Sequence, residues 1–484
     1  MYCYIERGKF MKKDAYKRTI VFTVVVLFLG LATAPSIIAE MTTKYTKQNS
    51  YNSGDNSAYE LLIITPNKYA ISLKPLVKHK NEVGVTAKLV TLNEVYGNQM
   101  AKQGRDKPEK IKYFIKYAIE TWGIKYVLMV GDFRQMPVRY CWNDEPWPEY
   151  TEPSFISELY YADIYDKNGN FSSWNSNGND KFGEWKGSEA QDKDIDLYPD
   201  VYVGRLACGN NIEVITTVKK IITYETKTYG KDWFKRIVVV AGDTYPVSQN
   251  PNWTAIEGEE NTKKALENMS GFQNVTLWTS DGSLTGEKDV INAVDNGCGF
   301  IYFDGHGSPK SWATHAPDST AWINGLTTKS MTRLRNKDML PICLVGGCHN
   351  SEFDVALANL LKDPQEALRR STWITECWSW KLTRKIGGGS IATIGCAGLG
   401  MTKEDKKSFS GASDYLDPQL FYEIGTNGTD ILGEAWGNAI TNYLNRYPIN
   451  WSTPAGWDYA YDAKTVQQWA LLGDPSLKIG GYPQ

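Results

Sequence analysis

Two short motifs in the second half of the chain set a thiol and an imidazole at the ends of apolar runs. Phe300–Phe303 leads into Asp304-Gly305-His306-Gly307-Ser308, and Ile342–Val345 leads into Gly346-Gly347-Cys348. A cysteine thiol, with an ordinary pKa of about 8.5, is a weak nucleophile until a neighbouring base raises its thiolate fraction. His306 is placed to be that base. Glycines on either side let backbone amides approach a substrate closely, so the N–H groups of Gly307 and Cys348 are candidates for holding an oxyanion. The chemistry this pair suits is acyl transfer through a thioacyl-enzyme. Cys348 attacks a carbonyl and His306 protonates the leaving group.

The chain has four histidines, which narrows the choice of base. His79 falls on a helix of the first half and is expected to face water. His315 follows His306 by nine residues and is a second candidate for the same cleft. His349 adjoins Cys348, and neighbours in an extended chain point to opposite sides. Bland readings compete: a glycine-flanked histidine is an ordinary loop residue, and a strand-end cysteine is a small buried hydrophobe. A zinc site from Cys348, His349 and His306 is a further alternative. Convergence of both motifs at the carboxyl edge of parallel strands favours catalysis. Cys343 reads as core, and Cys377 and Cys396 as core or disulfide.

The elements that must position these groups alternate strand and helix. Leu61–Thr65 and Tyr126–Val130 are apolar runs closed by Pro66 and Gly131, hence buried strands, and Thr86–Leu92 is strand-like. Ala70, Leu73, Leu76 and Val77 recur at helical spacing. Asp106 and Glu109 have the spacing of a capping box, and Ile111, Phe114, Ile115, Ala118, Ile119 and Trp122 form one apolar stripe behind it. Residues 141–200 break the rhythm with a loop-like insertion; its stretch 151–200 holds eleven acids against four lysines. A strand at Asp200–Leu206 and a helix through Ile212–Tyr224 follow. A second series has strands at Ile237–Ala241, Val275–Trp278, Phe300–Phe303, Ile342–Val345 and Ser390–Ile394. Such alternation means βαβ units and largely parallel sheets. Two side-by-side α/β subdomains are expected, at 59–230 and 231–484.

Composition supports an ordinary packed protein: 42% hydrophobic, 22% charged and 13% aromatic over 484 residues. With 53 basic against 55 acidic residues, no global positive field exists to hold nucleic acid. No glycine-rich dinucleotide or phosphate fingerprint follows a strand, so no catalytic cofactor is expected. Thr19–Ala39 carries no charge and follows Lys12, Lys13, Lys17 and Arg18, the layout of a secretory signal over 1–39. The rival is an uncleaved membrane anchor. Residues 40–58 read as a short spacer, and the expected location is secreted or cell-surface.

These motifs resemble those of the gingipain-type cysteine peptidases, peptidase family C25 of the caspase-like clan. Gly305-His306-Gly307-Ser308 with Trp312 looks like the family's histidine motif. Cys348-His349-Asn350-Ser351-Glu352-Phe353 is similar to its Cys-x-Asn-Gly/Ser-x-Phe motif. Leu61–Thr65, Leu128–Asp132, Asp200–Arg205 and Leu472–Leu477 look like further landmarks, so the likeness covers most of 59–480 in order. It implies a caspase-like fold with helices on both faces of mostly parallel sheets. It also implies peptide-bond hydrolysis, with Cys348 as nucleophile, His306 as its partner and protein or peptide substrates. Family members often have an acid near the histidine; Glu257 and Glu259 occupy the corresponding stretch, and otherwise read as solvated acids at a helix entry.

Three departures stand out. The spacer at 40–58 is too short for the folded inhibitory propeptide of such enzymes. The chain stops soon after Leu472–Ile479. Arginine-specific members place a tryptophan after the Ser390–Ile394 strand, but Ala397–Asp417 has none. Cleavage after a basic residue is therefore an implication of the resemblance and needs a buried carboxylate to face the cation. Asp166, Asn168 and Asn170, and Asn177, Asn179 and Glu184, set oxygens at alternate positions around glycines. That spacing suits structural calcium, which the resemblance also implies, although Asn and Asp equally make turns. A contrasting reading is an inactive or adhesive surface protein that uses the scaffold, with its 17 tryptophans and 29 tyrosines, for binding.

Overall fold

Short runs rich in Val, Ile, Leu and Phe, several of them closed by Pro or Gly, become the central strands of two largely parallel sheets. The computed structural model describes residues 58–143, 152–246, 255–405, 408–451 and 457–483. Residues 1–39, expected to be a secretory signal, and nearly all of the expected 40–58 spacer lie outside the described residues. Among the described residues no helix is long and apolar enough to cross a membrane.

The first sheet contains β1 (Leu61–Thr65), β2 (Ala87–Thr91), β3 (Tyr126–Val130) and β4 (Tyr202–Leu206), in the order β2-β1-β3-β4 and all parallel. Helices α1 (Ala70–Glu82), α2 (Lys107–Trp122) and α3 (Asn211–Lys227) accompany it. Asp106 caps α2 by accepting from the Glu109 amide. The Glu109 carboxylate reaches past the cap to the Arg105 amide at 2.6 Å, so the box closes one residue earlier than its spacing predicts. His79 is buried, not solvated: α1 packs beside α3, and its Nε2 meets Glu225 Oε2 at 2.8 Å. The deeply buried Lys80 shares that carboxylate and also pairs with Asp474.

The second sheet is built from β5 (Arg236–Ala241), β6 (Gln273–Trp278), β7 (Phe300–Asp304), β11 (Ile342–Gly346), β12 (Ala392–Cys396) and β13 (Trp469–Leu472). A three-stranded antiparallel sheet of β8 (His306–Ser308), β9 (Ser311–His315) and β10 (Trp322–Thr327) lies between β7 and β11 in sequence. The order of the large sheet is β6-β5-β7-β11-β12-β13, parallel throughout except β13. Successive residues of β5, β7 and β11 alternate between two apolar clusters. Phe300, Tyr302, Ile342 and Leu344 join the larger; Ile301, Phe303, Cys343 and Val345 join the other. Both faces of the sheet are thus covered, as period-two alternation into two cores requires. The strand expected at Ser390–Ile394 runs two residues later. Ser390 is drawn off by its amide bond to the Leu382 carbonyl.

The segment 141–200 is more ordered than its loop-like composition implies. Four short strands, Tyr140–Asn143, Phe155–Ile156, Phe182–Lys186 and Glu189–Ala190, form a sheet of their own. Tyr160, Tyr161, Trp174, Phe182 and Trp185 are buried in the main core. Strands of two to five residues are too short for alternation to show in sequence. At the centre sits Lys112, fully buried, with Nζ 4.3 Å from the Tyr160 ring and 5.5 Å from the Trp174 ring. An internal cation among aromatic faces thus stands where an acidic insertion needs positive charge.

Candidate active site

The second sheet brings its carboxyl ends together in the order β5, β7, β11, β12, and each contributes to one locus. β7 and β11 pair residue by residue up to Asp304 opposite Gly346. Two residues later the strands deliver His306 and Cys348. The loops touch at their backbones: a Cβ built on Gly347 would lie 3.0 Å from the Gly307 nitrogen. Glycine at 347 therefore keeps the space before that amide clear. A Cβ on Gly400 would stand 3.6 Å from Cys348 Sγ and 3.7 Å from its amide nitrogen, so the β12 exit forms the other wall.

His306 is partly exposed. Its Nε2 lies 2.9 Å from the carbonyl oxygen of Thr244, just past β5. A carbonyl only accepts, so Nε2 carries the hydrogen, and in the neutral ring Nδ1 is the acceptor nitrogen. Edge-on packing against Trp322, with centroids 5.1 Å apart, limits ring rotation. His315 lies behind it, 1% exposed and packed at a tilt against Trp322 with centroids 4.0 Å apart. Burial holds the His315 pKa below its ordinary value, which suits a neutral packing residue.

Glu257 and Glu259 open α4 (Glu257–Asn268), yet both are buried, at 2% and 3% exposure. The helix start packs on the strand ends so tightly that a Cβ at Gly258 would lie 2.7 Å from the Asp304 carbonyl oxygen. Water is thereby excluded from acids that the helix-entry reading leaves solvated. Glu257 Oε2 accepts from the Thr244 and Tyr245 amides at 3.0 and 3.2 Å. It thus holds the segment whose carbonyl meets His306. Burial, followed by the neighbouring Asp243, pushes the Glu257 carboxyl up to about 8. Glu259 instead takes the Ser280 amide and hydroxyl.

Among the described cysteines Cys348 alone is partly exposed; Cys141, Cys208, Cys298, Cys343, Cys377 and Cys396 are buried and none is in a disulfide. Burial raises the thiol pKa of Cys343, Cys377 and Cys396, which keeps them inert. Asn350 clamps the two loops. Fully buried, its amide nitrogen donates to the Ser308 and Ser311 carbonyls at 2.9 and 3.1 Å. His349, between Cys348 and Asn350, has a left-handed backbone with φ 58°. Its ring faces Glu352 at 3.0 Å and Glu152 at 3.5 Å, so these acids hold it, although the backbone here is a turn and not the extended chain that alternation requires. No group of three or more His, Cys, Asp or Glu among the described residues is arranged to hold a metal, which leaves the zinc alternative without a cage.

Below the loops lies a buried acidic group that the sequence reading left unassigned. Asp304 accepts from the Tyr302 hydroxyl, and Asp414 from the Asn261 amide at 2.7 Å. Asp417 is 1% exposed, and neither of its oxygens has a hydrogen-bond partner of good geometry among the described residues. A Cβ on Gly346 would lie 2.8 Å from Asp417 Oδ2, which sets this carboxyl directly under the cysteine loop. Burial pushes Asp304 up to about 7, and burial plus the adjacent carboxyls push Asp417 well above the usual range.

The oxygen-rich turns of the insertion are closed on themselves. Asp166 Oδ1 accepts from the Asn168 and Asn170 amides at 2.9 Å each. Glu184 Oε2 takes the side-chain amides of Asn177 and Asn179, and Lys181 pairs with the same carboxylate. In this arrangement the six residues form two hydrogen-bonded turns.

The sequence profile of peptidase family C25 matches residues 55–480. Gingipain R2 of Porphyromonas gingivalis is 22% identical over 314 residues, which cover 64% of this chain and 34% of that protein. The chain thus spans about a third of the relative's length. An uncharacterised protein of Archaeoglobus fulgidus is 21% identical over 367 residues, covering 71% of this chain and 76% of its own. The crystal structure of the Arg-specific cysteine proteinase gingipain R superposes with a TM-score of 0.57 at 18% identity, over 89% of this chain and 80% of that one. The complex of Porphyromonas gingivalis RgpB pro- and mature domains gives 0.56 at 17% identity, over 87% and 79%. These likenesses assign a caspase-like α/β fold. A profile match over most of its length makes this chain a member of peptidase family C25.

Proposed function

We propose that the protein is a cysteine endopeptidase working through a Cys348–His306 dyad. The observation that carries this is the abutment of two loops: one presents the single partly exposed described cysteine, the other an imidazole whose Nε2 is fixed on the Thr244 carbonyl. Nδ1 then takes the thiol proton. The thiolate attacks the peptide carbonyl, and the Gly307 and Cys348 amides receive the oxyanion. His306 returns the proton to the leaving amine, leaving a thioacyl-enzyme that water hydrolyses. None of these steps calls for a metal or cofactor.

A basic residue before the scissile bond is the preferred substrate in this reading. The acidic group of Asp304, Asp414 and Asp417 beneath the cysteine loop supports it, since a cation would favour the charged form of Asp304 and Asp417, which burial pushes upward. The charge-free Thr19–Ala39 segment supports export, with an uncleaved anchor as the other outcome. Structural calcium in the insertion would require Asp166, Asn168, Asn170, Asn177, Asn179 or Glu184 to exchange amide hydrogens for a cation.

A peptide-library cleavage assay tests the core of this proposal. The wild type should cleave after Arg or Lys, and Cys348→Ala should be silent. Cleavage that survives in Cys348→Ala ends the assignment. A library that binds without being cut points to a binding module on the same scaffold. Preference for acidic or small residues overturns the role given to the aspartates.

A further inference from the structure

The insertion reaches the nucleophile through one buried carboxylate. Glu152 is 3% exposed and belongs to the acidic segment, far in sequence from either catalytic motif. Its oxygens accept from the Leu399 amide at 2.8 Å and from Arg370 Nη2 at 3.0 Å, and pair with Lys464 Nζ at 3.1 Å. His349 Nε2 lies 3.5 Å away. Burial works to neutralise this acid, but Lys464, His349 and Arg370 together hold its carboxyl down at about 2.

These contacts bracket Cys348 on both sides. Leu399 follows Gly398, whose carbonyl takes the His349 amide at 2.8 Å, and precedes Gly400, which walls the Cys348 sulfur. A Cβ on Gly398 would fall 2.9 Å from Glu152 Oε2, so the fit allows no side chain there. His349 itself holds a positive φ, a conformation that is strained for a non-glycine residue and persists only where surroundings enforce it. Arg370 bridges Glu152 to Glu352, which grips the other nitrogen of the His349 ring. Lys464 comes from α5 (Trp457–Gln467), so the insertion and this C-terminal helix meet on this one group.

We propose that Glu152 is a positioning residue for Cys348: through it the docked insertion sets the backbone on both sides of the nucleophile and makes its reactivity conditional on that docking. This rests on Cys348 being the nucleophile. Its role is distinct from that of His306, because Glu152 acts on the placement of the sulfur and not on its proton.

The test compares Glu152→Gln, Glu152→Ala and the charge-balanced pair Glu152→Gln/Lys464→Met with the wild type. Near-ultraviolet circular dichroism and melting certify folding. Each is assayed for kcat and KM on a peptide and for the rate of Cys348 alkylation by iodoacetamide between pH 5 and 9. Positioning predicts that kcat falls at least tenfold with KM within about twofold, and that the alkylation profile is displaced, in the folded charge-balanced pair as well as in single variants. A purely structural role predicts a lowered melting temperature with kcat per folded molecule and alkylation profile unchanged, which overturns the proposal. If the wild type cleaves no peptide, the peptidase reading fails by itself, while the alkylation profiles still decide the role of Glu152.

Discussion

Replacing Asn350 with alanine removes the clamp between the histidine loop and the cysteine loop. The side chain is fully buried and donates two hydrogen bonds, 2.9 Å to the Ser308 carbonyl and 3.1 Å to that of Ser311. A buried group left unpaired costs about 1–3 kcal/mol. Ser311 keeps a long contact from the Ser308 hydroxyl at 3.5 Å, so its carbonyl is partly compensated for the lost donor. The expected destabilisation is about 2–4 kcal/mol. It should appear in urea unfolding as a lower midpoint with an unchanged slope. Because the bonds fix β8 against the turn that carries Cys348, the same change lets the imidazole and sulfur drift apart. Misplacement on the order of 1 Å costs about 100-fold in rate. Steady-state hydrolysis by the folded variant, below its unfolding midpoint, should therefore lose kcat far more than KM. Asn350→Ala that unfolds like the wild type, or keeps its kcat, refutes the clamp.

Other outcomes follow from the buried acids and turns. Glu257 titrates near 8 in the fold against about 4.3 in an unfolded chain, so the folded state binds the extra proton between those values. Stability from this group is full at low pH and falls as pH rises from about 4.3 to 8. Glu257→Gln, which keeps an acceptor for the Thr244 and Tyr245 amides, should flatten that part of the stability curve and leave peptidase activity at neutral pH near wild type. An unaltered pH slope in chemical denaturation would contradict the raised pKa. Because the Asp166 and Glu184 turns are closed by amide hydrogens, millimolar calcium or a chelator should leave the melting temperature unmoved; a rise of several degrees with calcium would show a rearranged, cation-filled insertion.

The parallel framework was legible where a strand is a compact apolar run ended by a turn former, and β1 and β3 fall on Leu61–Thr65 and Tyr126–Val130 as read. Gly305, Gly307, Gly346 and Gly347 marked the two loops for the same reason, since glycine is needed where backbones meet. What stayed hidden depends on contacts distant in sequence. His79 looks solvated on its own helix and is buried only because α3 brings Glu225 to it. The Thr244 carbonyl that meets His306 has no side-chain signature, as any residue supplies one. Glu152 is one acid among eleven in its stretch, and nothing local separates it from the exposed ones such as Asp180 and Glu189. The insertion looked coreless because its aromatic anchors, Tyr160, Trp174 and Phe182 among them, are spread along the sequence without a period and meet only in the folded core.

The most direct measurement is the pH dependence of iodoacetamide labelling, mapped by peptide mass spectrometry, in the wild type and in His306→Ala. The account predicts labelling of Cys348 and of no other cysteine among the described residues, with a rate at pH 6 that drops at least tenfold when the imidazole is removed. Labelling spread over the buried thiols, or a Cys348 rate indifferent to His306, would contradict the dyad.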